Sequence, residues 1–267
     1  MNEPTQTRIW RRFTRAQRLA RFTVYIAIVA AVVVSIRTIE VIPEFLADAP
    51  EQIADLLSRM WPVDLAYYPH GVHAALMETI HIASLGTLLA LLLALPVGVL
   101  AAHNLCPFTP VNLFAKLVLV SSRSVNSLVW ALLFVGIFGP GALAGTLAIA
   151  FRSIGFVGKL FGEALEETST GPIEALDAAG APWTSRLAFG YWPQVKPAFW
   201  SIALFRWDIN VRESAVLGLV GAGGIGMTLD SALNLFQWNR VATILAAIFA
   251  IVILAEIVVT VVRKRLL

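Results

Sequence analysis

The sequence predicts an all-α fold, a polytopic bundle of six membrane-spanning helices, and three observations carry that prediction. Charge is scarce: 14% of the 267 residues are Asp, Glu, Lys or Arg, 58% are hydrophobic, and mean hydropathy is +0.77. Ordinary soluble domains carry about 25% charged residues, so this chain lacks the polar surface that would hold a core of its size in water. Apolar stretches of roughly 20 residues recur, the length a helix needs to cross a hydrocarbon layer about 30 Å thick. The densest clusters of basic residues, nine of the twenty Lys and Arg, stand at the two chain ends, where they orient a membrane protein rather than track phosphates. The net charge of +3 and pI near 9.3 therefore do not point to nucleic acid. The single cysteine, Cys106, excludes an internal disulfide framework and any multi-cysteine metal site.

Four stretches are clean spans: 22–42, with Arg37 and Glu40 near its far end; 81–102, which Pro96 is placed to kink; 117–138; and 241–262. Two are more polar: 142–161 contains Arg152, and 197–220 contains Arg206, Asp208, Arg212 and Glu213. Arg8, Arg11, Arg12, Arg15, Arg18 and Arg21 precede the first span, and Arg263, Lys264 and Arg265 follow the last. Lys and Arg beside spans favour the cytoplasm, so both ends belong inside and the number of spans is even: six with the polar stretches, four without. With six, 1–21 is a basic cytoplasmic segment, 22–42 the first span and 43–72 an extracytoplasmic connection. That connection is acidic, with Glu44, Asp48, Glu51, Asp55 and Asp64 against Arg59. The remaining core, 73–267, holds five further spans and a cytoplasmic loop at 162–196. The first apolar stretch is longer than a signal peptide's, so a retained span is expected rather than a cleaved signal.

The 162–196 loop reads as two short helices with a glycine break. Pro172 suits a first helical turn, where its missing N–H is not needed, and Glu174 complements the dipole there. Gly180 is placed to stop that helix in a left-handed conformation, Pro182 to start the second, and Pro193 to limit its continuation. Glu174, Ala175 and Leu176, then Gly180 and Pro193, resemble the "EAA" loop of bacterial ABC-importer permeases. Leu176, Gly190 and Trp192 depart from that pattern, while the order and spacing of Glu, Ala, Gly and Pro are kept. The resemblance implies that Glu174, Ala175, Leu176, Asp177, Gly180 and Pro193 form a coupling knob seated on a cytoplasmic ATPase subunit. An ordinary amphipathic surface hairpin is the plainer reading.

Ionisable groups at membrane depth are costly and face a protein interior or a watery path. Helical spacing puts Arg206 and Glu213 on one side of their span and Asp208 with Arg212 on another, the latter being the better intrahelical pair. Two further pairings, Arg206 with Asp208 and Arg212 with Glu213, are also open. Such pairs lock helices together or line a translocation path, and the two roles can coexist. Downstream, Gly221, Gly223 and Gly226 satisfy a dinucleotide-binding spacing, but a membrane span precedes them and no βαβ unit is evident. Met227 stands where a phosphate-loop Lys is required, so any ATP binds another chain. Close packing, or an irregular turn lining a cavity, is the expected use of these glycines.

The stretch from Arg206 to Gly226, with RSIGFVGKLFGEALEE from Arg152 and RSVNSLVWALLFV from Arg123, is similar to the phosphonate-import branch of the ABC permeases. That resemblance implies a type I importer permease fold and a homodimer in the bacterial inner membrane, with two cytoplasmic ATPase subunits and an extracytoplasmic substrate-binding protein. ATP and Mg would sit on the ATPases, with no cofactor on this chain. It also implies phosphonate, or a related phosphorus oxyanion, as cargo. Arg123, Arg152, Arg206, Asp208, Arg212 and Glu213, with Gly221, Gly223, Gly224 and Gly226, are the candidates for path or gate. The alternative is an ion-gradient-driven transporter of a small anion, which has no need of such a loop. No catalytic Ser/His/Asp or Cys/His set is recognisable, and His70 and His73 read as solvated interfacial residues.

Overall fold

The computed structural model describes residues 13–39 and 42–266. Arg8, Arg11 and Arg12 of the basic N-terminal segment, and Glu40 and Val41 of the predicted first span, lie outside the described residues. The chain divides into two compact units, one ending at Leu56 and one starting at Leu57.

The first unit begins with α1 (Arg15–Thr38), whose N-terminus is closed by a capping box between Thr14 and Gln17. Between Arg21 and Arg37 the helix is apolar on nearly every side, and none of its side chains is buried. Next comes α2 (Pro43–Met60), within the stretch expected to be an extracytoplasmic connection. Its spacing gathers Phe45, Leu46, Ala49, Ile53 and Leu56 on one side and Glu44, Asp48, Glu51 and Asp55 on the other.

The second unit is built around α6 (Ala142–Glu166). Against it pack α3 (His73–Ala101), α4 (Thr109–Ser124), α5 (Ser127–Phe138) and α9 (Trp192–Leu217). Short α7 (Gly171–Ala178) and α8 (Trp183–Ser185) connect α6 to α9. The chain then turns into α10 (Ile225–Asn234) and closes with α11 (Trp238–Leu266), which lies on α9 and α10. Lipid tails are as apolar as Leu, so small residues must let such helices approach. On α3 and α6 they do: a Cβ on Gly98 would lie 3.0 Å from the Gly158 carbonyl oxygen, and one on Gly162 would lie 3.2 Å from that of Gly98.

Among the described residues four helices can cross a membrane by length and composition, and up to six spans result if each bent pair counts as one. The predicted third span, 117–138, belongs to one of those pairs, and a straight helix there is ruled out. Helices α4 and α5 meet at 91° around Val125 and Asn126. Asn126 caps α5 by accepting the Leu128 N–H at 3.1 Å. The break is tied down by Ser122, whose hydroxyl donates to the Phe151 carbonyl and accepts the Gly155 N–H at 3.1 Å. Trp130 Nε1 donates to the Ser122 carbonyl at 3.3 Å. Backbone groups freed inside a membrane protein need such partners. Pro96 interrupts nothing, and α3 runs through it as one helix.

Candidate functional site

Three features of the second unit have chemistry beyond packing. The first is an ionised layer where α6 meets α9. Arg152 pairs with Glu213, although 61 residues separate them in sequence. Arg206, 2% exposed, reaches the other oxygen of Glu213 at 3.4 Å and donates from Nε to Ser153 Oγ at 2.8 Å. From Ser153 the network continues to Asn210 Oδ1 at 3.2 Å, and Asn210 Nδ2 donates to Thr87 Oγ1 of α3 at 2.7 Å. Each buried polar group thus meets another, which is the condition for keeping them out of water. Two cations share one carboxylate here, so the α6 side of α9 carries a surplus positive charge.

On the opposite side of α9, Arg212 donates to Asp208 at 2.6 Å and lies 3.8 Å from Glu256 of α11. The remaining Asp208 oxygen, Oδ1, is buried without a hydrogen-bond partner among the described residues. The Asp208–Arg212 pairing matches the helical spacing read from the sequence. The pairings of Arg206 with Asp208 and of Arg212 with Glu213 do not form, because neighbours two or one apart point in different directions on a helix. Arg123 belongs to neither cluster; it stands at the end of α4, over Gly155 of α6.

The second feature is the glycine run. Gly221, Gly223 and Gly224 take φ of +85°, +84° and +72°, which L side chains rarely adopt. A Cβ on Gly218 would lie 2.6 Å from the Gly223 carbonyl oxygen, and one on Gly226 would strike that of Ala215. The run is therefore a tight turn that bends α10 by 41° from the line of α9, pinned to α3 where Thr79 Oγ1 accepts the Ile225 N–H at 2.8 Å. No strand accompanies it among the described residues, as a dinucleotide site would need.

The third is the α7 knob. Ile173 is buried with Phe161, Leu165, Tyr191, Val195 and Phe199, while Glu174, Ala175, Asp177 and Ala178 are exposed. Gly180 ends the helix at φ +70°, with the Ala181 N–H bonding back to the Leu176 carbonyl at 3.0 Å. The predicted second arm is corrected: Pro193 does not limit it. Helical structure runs from Trp183 through a widened turn at Arg186–Tyr191 directly into α9, with Pro193 in the first turn of α9. Proline is tolerated in a first turn, and that position sets aside the expectation of a break. The knob is welded to this arm. Arg186 pairs with Asp177 at 2.6 Å, and Gln194 accepts the Ser169 N–H at 3.0 Å and donates to the Gly190 carbonyl at 2.8 Å. At this same end His103 N–H donates to Glu166 at 2.7 Å, closing α3 onto α6.

Sequence reasoning found the charged residues of α9 but missed Ser153, Asn210 and Thr87, which join three helices. Asn210 stands four residues after Arg206, which is a signal in the spacing; the partners on other helices left none.

A helical bundle with apolar spans, an ionised layer inside and a braced helical knob at one end has the architecture of a membrane transport component. The profile of the "Binding-protein-dependent transport system inner membrane component" family matches residues 94–267. The chain belongs to that family. It is 39% identical to the "Phosphate-import permease protein PhnE" of Mycolicibacterium smegmatis over 89% of this chain, although it spans only 44% of that relative's length. It is 40% identical to the "Phosphite transport system permease protein PtxC" of Stutzerimonas stutzeri, over 80% of this chain and 77% of that protein. Among solved structures, the inward-facing MetNI methionine ABC transporter superposes with a TM-score of 0.63 at 21% identity, covering 74% of this chain and 96% of that one. At that identity the likeness concerns the fold alone, a type I importer permease fold.

Proposed function

We propose that this chain is the membrane-spanning permease of an ATP-driven importer for phosphonate, phosphite or a related phosphorus oxyanion. Its partners are a second copy of itself, two cytoplasmic ATPase subunits carrying ATP and Mg, and an extracytoplasmic binding protein. In this reading both chain ends and α7 face the cytoplasm, in keeping with the basic residues at those ends. The observation that carries it is the α7 knob, exposed on one face and braced through Asp177–Arg186 and Gln194 to the start of α9. A displacement imposed on α7 by an ATPase would reach α9, the helix that holds Arg206 and Glu213. Three further points support an anionic cargo: the surplus positive charge of the α6–α9 cluster, the phosphate and phosphite relatives, and the attraction of anions to such a potential.

Proteoliposomes holding the chain, its ATPase and binding protein test the reading with labelled phosphite, methylphosphonate and phosphate. Uptake is expected to require ATP. Uptake that persists without ATP and collapses with an ionophore would overturn the proposal in favour of the gradient-driven alternative, which the family match does not favour. Gly180→Asp should leave ATP hydrolysis running while uptake fails, and a fully coupled variant would sink the role of the knob. Arg206→Ala should slow uptake while the complex still assembles; unchanged uptake would remove Arg206 from the path.

A further inference from the structure

A hollow of about 260 Å³ lies between α4 and α6 at the end of the bundle that carries α7. Lys116, Leu119, Val120 and Arg123 recur at helical spacing, so one face of α4 turns all four toward it. Lys159 stands across from them on α6. The carboxylates present are already engaged. Glu163 pairs with Lys159 at 3.2 Å, and Glu166 accepts the His103 N–H at 2.7 Å. Lys116 and Arg123 have no carboxylate partner among the described residues, so three cations face two carboxylates and the hollow keeps one surplus positive charge.

Like charges in an apolar-walled recess repel one another unless an anion joins them. A guanidinium fork with two ammonium groups suits a tetrahedral oxyanion, since Arg binds phosphate oxygens in pairs and Lys supplies point charge. Position adds a second argument. Lys159 follows Arg152 by seven residues, which is two helical turns on the same face of α6, about 10 Å closer to the α7 end. The hollow thus lies on the α7 side of the ionised layer.

We propose that the hollow formed by Lys116, Arg123 and Lys159 binds a phosphorus oxyanion, either the free ion or the phosphate of a lipid headgroup. The free-ion source rests on the cargo reading above; the binding chemistry does not. The full chain in nanodiscs allows a test that involves no transport, namely acylation of lysine amines followed by peptide mass spectrometry, with exposed Lys196 as internal reference. In phosphatidylcholine discs, inorganic phosphate or methylphosphonate is expected to slow acylation of Lys116 and Lys159 relative to Lys196. Mass action makes the protection roughly tenfold once the anion is at about ten times its Kd. Arg123→Gln should abolish that protection, and Lys116→Gln should abolish it at Lys159. Protection that appears only in phosphatidylglycerol discs, without added anion, identifies the headgroup as the source. Either pattern supports the site. Equal protection by chloride at matched ionic strength, or none from any of these probes, overturns it. Protection in a chain whose assembled transporter carries no phosphorus compound would keep the hollow and sink the cargo reading.

Discussion

Helices α1 and α6 are both long enough to cross a membrane, and α1 is the more apolar of the two. Yet α1 buries none of its side chains, whereas α6 is 56% buried across its apolar window and carries Arg152, Ser153 and the glycines that admit α3 and α4. Apolarity reports which solvent a helix was built for. Small and polar residues report which helix faces other protein, because in lipid only close backbone approach and hydrogen bonds favour one neighbour over another. The less hydrophobic helix is therefore the one that organises the core.

Substitutions matched between the two helices would break or sharpen that contrast. The largest effect is expected at the ionised layer. Glu213→Gln leaves Arg152 and Arg206 facing each other without their shared counter-charge, and should lower stability by about 3–5 kcal/mol. Arg37→Gln on α1, an exposed site, should change it by no more than about 0.5 kcal/mol. Thermal unfolding of the purified protein in one detergent compares them, and equal losses would break the contrast.

Next come the small residues. At Gly158 a Cβ would already lie 3.5 Å from the Ala94 carbonyl oxygen and would crowd Leu119, so Gly158→Leu must push α4 or α3 aside. A loss of about 1–3 kcal/mol is expected, against about 0.5 kcal/mol or less for Ala30→Leu on α1. A neutral Gly158→Leu would mean that α6 tolerates wider spacing than its glycines indicate. Smaller again is Gly180→Ala, where the space is open and only the left-handed φ of +70° resists a side chain. That strain is about 1–2 kcal/mol and local, to be read as faster amide exchange in α7 with little change in melting. The smallest change is expected from Arg186→Gln. It removes a partly exposed pair with Asp177, worth about 1 kcal/mol at most, and its mark should be looser exchange at α7 alone.

Several of these features are legible in the order of residues alone. The left-handed Gly180 and the Asp208–Arg212 pair follow from local spacing, because both partners lie within a turn or two of helix. The sharp corner between α4 and α5 leaves a trace in Asn126, a good helix cap inside an apolar run, but hydropathy averages over such a residue and merges the two helices. Pro193 misleads for a related reason. A proline marks either the start of a helix or the end of one, and only the surrounding turn shows which. The amphipathic pattern of α2 is present too, though its acidic composition obscures its period.

The sequence by itself determined the solvent, the helical class and the identity of the charged residues, since composition and local spacing act through neighbours along the chain. Which charge meets which was decided only by tertiary structure. Glu213 is claimed by Arg152 and Arg206 rather than by adjacent Arg212, and Lys159 comes to face Lys116 and Arg123 across a gap. Those encounters depend on how α4, α6 and α9 pack, and the α4–α6 part of that packing is set by the close approach at Gly155 and Gly158.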